Sequence, residues 1–180
     1  MRNLLSILFL LLCTTSAFAQ QFTRQDTLRG SITPERTWWD LTYYHLSVQV
    51  NPADSTIKGI NTIQYKVLQP NQVMQIDMQQ PMAIEKVMQD GKPLQFKRDG
   101  NAYFVQLAAN QQVGAVKKVD VYFGGKPTVS TNPPWTGGIT WKKDKNGNPF
   151  IANSNQGSGA SMWWPCKDHM YDEPDSMLIS

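Results

Sequence analysis

The chain has 180 residues, of which 41% are hydrophobic and 11% aromatic, and carries a formal net charge of +3 at pH 7. These are globular proportions, and about 160 residues remain beyond an amino-terminal leader, enough for one ordinary domain. So small a charge argues against a dedicated binder of nucleic acid or membrane surface, since both gather Lys and Arg on one face.

Met1-Arg2-Asn3 precedes a mainly apolar run from Leu4 through Leu12 that closes on Ala17-Phe18-Ala19. One basic residue, an apolar core and an A-x-A site are the parts a signal peptidase reads. The run is shorter than the roughly 20 residues that span a bilayer. Residues 1–19 are therefore read as a signal peptide cleaved after Ala19, with the mature chain periplasmic or extracellular. No stop-transfer pattern follows, so no membrane anchor is expected. Cys13 follows Leu12 rather than a small residue, which argues against lipidation. Its removal leaves Cys166 as the only thiol. An internal disulfide is thereby excluded, and the domain must rely on burial where many small exported domains use crosslinks.

From Gln20 to Arg36 the chain is polar and without period, and is read as a poorly ordered lead-in. The first strand begins near Leu41, with Tyr44, Leu46, Val48 and Val50 alternating with Tyr43, His45, Ser47 and Gln49. After the break at Asn51-Pro52-Ala53-Asp54, Thr56 to Leu68 is rich in β-branched residues and completes a hairpin. Val73 to Met78 and Ile84 to Met88 read as strands. Asp90-Gly91-Lys92-Pro93 turns the chain into a further strand at Leu94-Gln95-Phe96. Arg98-Asp99-Gly100-Asn101 turns it again into Ala102 to Leu107, and Val116 to Phe123 follows. No stretch shows a convincing helical period. The expected fold is all-β, antiparallel sheets in a sandwich or saddle.

Beyond Pro127 the chain becomes loop-rich. A short strand Ile139 to Trp141, a charged hairpin tip Lys142 to Lys145 and Phe150-Ile151 precede a polar, glycine-rich stretch, Asn153 to Ala160. Polar loops bordered by aromatic anchors are where function concentrates. The last residues, Met177-Leu178-Ile179-Ser180, read as the first half of a strand. A truncated domain is the expectation, with an open sheet edge and an apolar face that favour association.

Gln156 to Pro174, QGSGASMWWPCKDHMYDEP, resembles the segment of the zinc aminopeptidase N and leukotriene hydrolase family in which a Gln/Glu loop runs into Pro-Cys and then Asp-Glu-Pro. Here those pieces are Gln156, Trp164-Pro165-Cys166 and Asp172-Glu173-Pro174. Upstream, Tyr44 to Val48 with Gly59 to Ile63 looks like the family's opening hairpin. The resemblance covers residues 37–180. It implies an amino-terminal β domain packed on a thermolysin-like catalytic domain, with a loop that reaches the active site. It also implies that Gln156 helps hold the free amino end of a peptide substrate, as an amide oxygen accepts a hydrogen bond from an ammonium. Ser154 stands where many members have another Gln, and Ser161 where many have Arg. With the longer spacer Lys167 to Tyr171, these departures fit a divergent branch.

Zinc hydrolysis in that family uses H-E-x-x-H and a more distant Glu, and this chain has neither. His45 and His169 are its only histidines. No catalytic residue and no metal ligand is therefore assigned here, zinc is expected in a following domain, and this chain alone is expected to be inactive. A metal site pairing His169 with Cys166, Asp168 or Asp172 is the weaker reading, because acidic turns usually cap and solvate themselves. Cys166 lies beside Trp163, Trp164 and Pro165 and reads as a packing residue rather than a nucleophile. Trp163 and Trp164, if on a strand, point to opposite faces. Trp38, Trp39 and Trp135 read as anchors of core or interdomain surface. The alternative to the peptidase reading is a non-catalytic exported β module that binds a partner or carbohydrate through its tryptophans.

Overall fold

A computed structural model describes residues 21–108 and 111–180. The expected signal peptide, with its expected cleavage after Ala19, and Cys13 lie outside the described residues. Among the described residues no helix is long and apolar enough to cross a membrane.

The predicted opening hairpin is formed by β1 (Trp39–Asn51) and β2 (Thr56–Val67), paired antiparallel from Trp39↔Val67 to Asn51↔Thr56. A bulge between Leu41 and Tyr43 inserts one residue into β1. The inward side therefore changes parity, and Trp39, Leu41, Tyr44 and Leu46 are all buried. β8 (Val116–Gly125) pairs with β2, and β4 (Ala83–Gln89) pairs with β8. A second bulge, between Ile84 and Lys86, turns Ile84 and Val87 to the same side.

Two short strands complete this six-stranded sheet, β5 (Lys92–Pro93) at one edge and β11 (Ser176–Ile179) at the other, in the order β11-β1-β2-β8-β4-β5. β11 runs parallel to β1, from Tyr43↔Ser176 to Leu46↔Ile179, whereas the other pairs of this sheet are antiparallel. β3 (Val73–Asp77), β7 (Ala102–Gln106) and β6 (Phe96–Asp99) form a second sheet in the order β3-β7-β6. β9 (Gly138–Lys143) and β10 (Pro149–Ser154) make a separate hairpin. Of the expected strand at Leu94-Gln95-Phe96 only Phe96 is in a strand, as the first residue of β6; Leu94 and Gln95 cross to it from β5, which forms within the expected turn and belongs to the large sheet.

The core lies between the two larger sheets, where Ile63, Tyr65, Val121 and Phe123 meet Met74, Ile76, Tyr103 and Val105. Trp38 and Trp39 each set an indole edge-on against Tyr65, at 5.8 and 6.0 Å. Each such aliphatic side chain contributes about 1.5–3 kcal/mol on full burial, so a core this size holds a domain without crosslinks.

The lead-in is not poorly ordered. Residues 24–30 form helix α1 (Arg24–Gly30), and residues 34–37 a one-turn helix α2 (Pro34–Thr37). Thr23 and Asp26 make a reciprocal capping box at the start of α1, and Pro34 occupies the first turn of α2. The driving force is on β3. Its residues Met74 and Ile76 face the sandwich core, while Gln75 and Asp77 on its other face are equally buried. That face needs polar partners rather than apolar cover. α1 and α2 supply them: Gln75 Nε2 donates to the Leu28 carbonyl at 3.1 Å, and Arg36 reaches Asp77.

Candidate functional site

After β10 the chain folds into a tight turn in which the Asn155 carbonyl accepts the N–H groups of Ser158 at 3.0 Å and Gly159 at 2.9 Å. Gln156 stands on the tip of this turn with its side chain exposed. Two side chains from elsewhere hold the following carbonyls. Arg29 Nη2 donates to Gly157 O at 3.0 Å, and Gln79 Nε2 donates to Ser158 O at 2.6 Å. Gly159 has φ +80°, and a Cβ there would run into the Asp168 carboxylate, so this position accepts only glycine without strain.

Beneath the turn lies a polar, buried base. Ser161, in a short 3-10 turn over Ala160–Met162, donates to Asp168 Oδ2 at 2.5 Å and lies 3.0 Å from Gln79 Nε2. The site holds a small residue where the resembled family often carries Arg, and the serine hydroxyl fills it while being almost fully buried. Asp168 N–H donates to Asp77 Oδ2 at 3.0 Å. Cys166 and Asp77 exchange backbone hydrogen bonds at 2.8 and 3.1 Å, which adds the Pro165-Cys166 segment to the edge of β3. Asn61 Nδ2 donates to the Pro165 carbonyl at 2.8 Å, and Tyr44 Oη accepts the Lys167 N–H at 2.9 Å. The segment thus bridges both sheets.

The charges that follow are internally matched. Lys167 donates to the Trp39 carbonyl at 2.7 Å, pairs with Asp172, and stands 4.0 Å above the Trp39 ring and 4.7 Å from that of Tyr171. Burial lowers its pKa, with the Asp172 contact opposing. Asp172 also accepts the Leu41 N–H at 3.1 Å, and Tyr171 Oη donates to the Arg36 carbonyl at 2.7 Å. Asp172 is committed to structure, and the Trp164 to Pro174 segment is a brace.

The remaining expected residues fall out as follows. Cys166 is buried, and burial, reinforced by the nearby Asp168 and Asp77 charges, pushes its thiol well above the ordinary range. It is a packing residue. His169 Nε2–H donates to the Gly30 carbonyl at 3.1 Å and its Nδ1 accepts the Tyr171 N–H at 3.3 Å, so both ring nitrogens are engaged. His45 lies 3.1 Å from Ser180 Oγ. Among the described residues no three His, Cys, Asp or Glu side chains are placed to hold a metal. Trp163 and Trp164 are not on a strand and do not point to opposite faces. The chain is turning out of the 3-10 segment there, and the two rings meet edge-on at 6.1 Å, with Trp164 also against Tyr44 at 5.1 Å. Trp38 and Trp39 are core, whereas Trp135 is 75% exposed. Lys142 to Lys145 form an exposed hairpin tip, in which Asp144 accepts the N–H groups of Asn146 and Asn148 at 2.8 and 2.9 Å.

Sequence reasoning missed Arg29, Gln79, Arg36 and Asp77. The Thr23-x-x-Asp26 cap and Pro34 were the available signals of an ordered lead-in. Beside the brace runs an open groove of about 700 Å³, lined among others by Leu41, Trp164, His169, Met170, Pro174 and Met177.

The two larger sheets and the separate hairpin form a β domain that carries an exposed polar turn on a buried ionic base. The fold is that of the M1 zinc metallopeptidases and leukotriene A4 hydrolase. An M1 zinc metallopeptidase from Deinococcus radiodurans superimposes with a TM-score of 0.60 at 16% identity, over 84% of this chain and 34% of that one. Another structure from that organism, bound to a Tyr-Ser-Ala substrate, gives a TM-score of 0.60 at 15% identity over the same shares. Leukotriene A4 hydrolase from Saccharomyces cerevisiae gives 0.60 at 19% identity, over 79% of this chain and 23% of its own. The chain thus spans about a third or less of the length of these structures. No protein-family model and no curated protein matches the sequence.

Proposed function

We propose that this chain is the amino-terminal, cleft-forming part of an exported zinc-dependent aminopeptidase, and that Gln156 binds the free amino end of the peptide substrate. The observation that carries this reading is the exposed Gln156 side chain at the tip of a pinned turn, in a fold shared with zinc metallopeptidases, one of them bound to a peptide substrate. An amide oxygen there accepts a hydrogen bond from the ammonium and leaves the ammonium charge uncompensated. Specificity for a free amino end then comes from geometry as much as charge.

The described residues do not fit a zinc site, and no step of hydrolysis is assigned to them. Zinc and the reacting water belong to a following catalytic domain, which this chain contacts and whose cleft it helps wall. Export rests on the leader at residues 1–19. A non-catalytic β module that binds through tryptophan is the second reading, favoured by the exposure of Trp135. It is narrowed by the fate of the other five tryptophans, all buried or partly buried.

Reading the open frame beyond Ser180 tests the proposal. An H-E-x-x-H motif within the next couple of hundred residues supports it, and a frame that ends or continues without one contradicts it. Residues 20–180 alone should bind no stoichiometric zinc and release no amino acid from peptides.

A further inference from the structure

We infer that Arg29 and Gln79 are positioning residues of the Gln156 turn, which makes α1 a working part of the site. The inference rests on the substrate-binding reading of Gln156 given above. Residues 155–159, Asn-Gln-Gly-Ser-Gly, include two glycines, and such a sequence loses much backbone freedom on ordering. The turn's own hydrogen bonds are two, both to the Asn155 carbonyl. They close the turn without fixing its orientation on the domain. Orientation comes from the two carbonyls that follow Gln156, each held by one side chain: Gly157 O by Arg29 and Ser158 O by Gln79.

Both donors are themselves held. Gln79 continues past β3, its amide lies 3.0 Å from Ser161 Oγ, and its backbone N–H donates to the Ser161 carbonyl at 2.8 Å. Arg29 is carried by α1, which is fastened to the domain at several places besides the Gln75 and His169 contacts to its Leu28 and Gly30 carbonyls. Arg24 pairs with Asp99 at 2.6 Å, the Gln25 side chain accepts the Asn101 N–H at 3.0 Å, and Arg36 Nη1 donates to the Arg29 carbonyl at 3.2 Å. A helix that only covered β3 would not need an arginine reaching across to the loop after β10. The two grips approach from different elements, so together they set the direction in which the Gln156 amide points.

Amide exchange of Ser158 and Gly159 on the full chain reads the grip directly. Arg29→Ala and Gln79→Ala should each speed exchange at both amides by roughly 3- to 10-fold, the range expected for loss of one net hydrogen bond. Arg29→Lys should restore part of the protection. Arg24→Ala frees α1 from Asp99 but leaves its other fastenings and the Arg29 hydrogen bond in place, and should speed both amides by less than Arg29→Ala does. Arg29 is exposed, so its variants report even if Gln79→Ala lowers global stability. Unchanged exchange in Arg29→Ala, or an equal change in Arg24→Ala, overturns the inference. In the complete peptidase, Arg29→Ala should raise KM with kcat unchanged, and should add nothing in a Gln156→Ala background. A Gln156→Ala variant that shifts KM while Arg29→Ala does not would also overturn it. If Gln156→Ala leaves KM unchanged while Arg29→Ala still loosens the turn, the substrate-binding reading fails and the grip stands.

Discussion

Arg36 Nη2 donates to Asp77 Oδ2 at 2.6 Å, with the arginine side chain wholly excluded from solvent and the carboxylate 8% exposed. The same carboxylate accepts Gln75 Nε2 at 2.9 Å and the Asp168 N–H at 3.0 Å, while Arg36 Nη1 donates to the carbonyls of Arg29 and Ser31. One ion pair thus ties the lead-in, β3 and the Pro-Cys segment together beneath the Gln156 turn.

Breaking this pair should be severe, because the abandoned charge stays buried. Removing one partner of a buried ion pair costs about 3–5 kcal/mol. Arg36→Met is expected to lower the stability of the domain by about that amount, read from the midpoint of urea unfolding. Adding Asp77→Asn to the Arg36→Met chain should recover part of the loss. A change within about 0.5 kcal/mol for Arg36→Met, the usual size of a surface substitution, would show that the pair carries little.

The pair also sets a pH dependence. Burial raises the Asp77 pKa above its ordinary value of 3.8, and the attraction of Arg36 opposes this without cancelling it. The folded state therefore holds the proton more tightly than the unfolded one. The stability this group contributes is full below the unfolded pKa and is lost as pH rises through the folded pKa. Relative to Asp77→Asn, the unmutated chain should lose unfolding free energy as pH is raised from below 3.8 through that window. The exposed carboxylates titrate in both proteins and cancel in the difference. A flat or rising difference would contradict the raised pKa.

Cys166 should be inert in the folded domain. Only the thiolate reacts, and burial both excludes reagent and holds the thiol protonated. Iodoacetamide at mildly alkaline pH should leave the Cys166 peptide unmodified in native protein and modify it fully in denaturant, as mass spectrometry of the digest will show. Rapid native labelling would mean an accessible, activated thiol.

Strand positions were legible because alternation and turn residues report them directly: β1, β2, β7 and β8 fall where Tyr44 to Val50, Thr56 to Leu68, Ala102 to Leu107 and Val116 to Phe123 predict them. The bulges at Leu41/Tyr43 and Ile84/Lys86 were not legible, since one inserted residue changes which side faces inward without changing composition. The lead-in was missed for a different reason. Gln75 and Asp77 alternate with Met74 and Ile76 as a solvated face would, and only tertiary structure reveals that this face is covered by polar partners. Gln156 was selected from the resemblance, and the structure places its side chain in solvent. The grips on its turn come from Arg29 and Gln79, which are 127 and 77 positions away in the chain, and no local pattern joins residues so distant.

The most direct test of the peptidase reading is the effect of Gln156→Ala on cleavage of aminoacyl substrates by the complete protein. A hydrogen bond to a charged group contributes about 1.5–3 kcal/mol, which corresponds to roughly a 10- to 100-fold change. The proposed function predicts a KM higher by that factor, with the unfolding midpoint unchanged because the side chain is exposed. An unaltered KM for substrates with a free amino end, or no such cleavage by the complete protein, would contradict it.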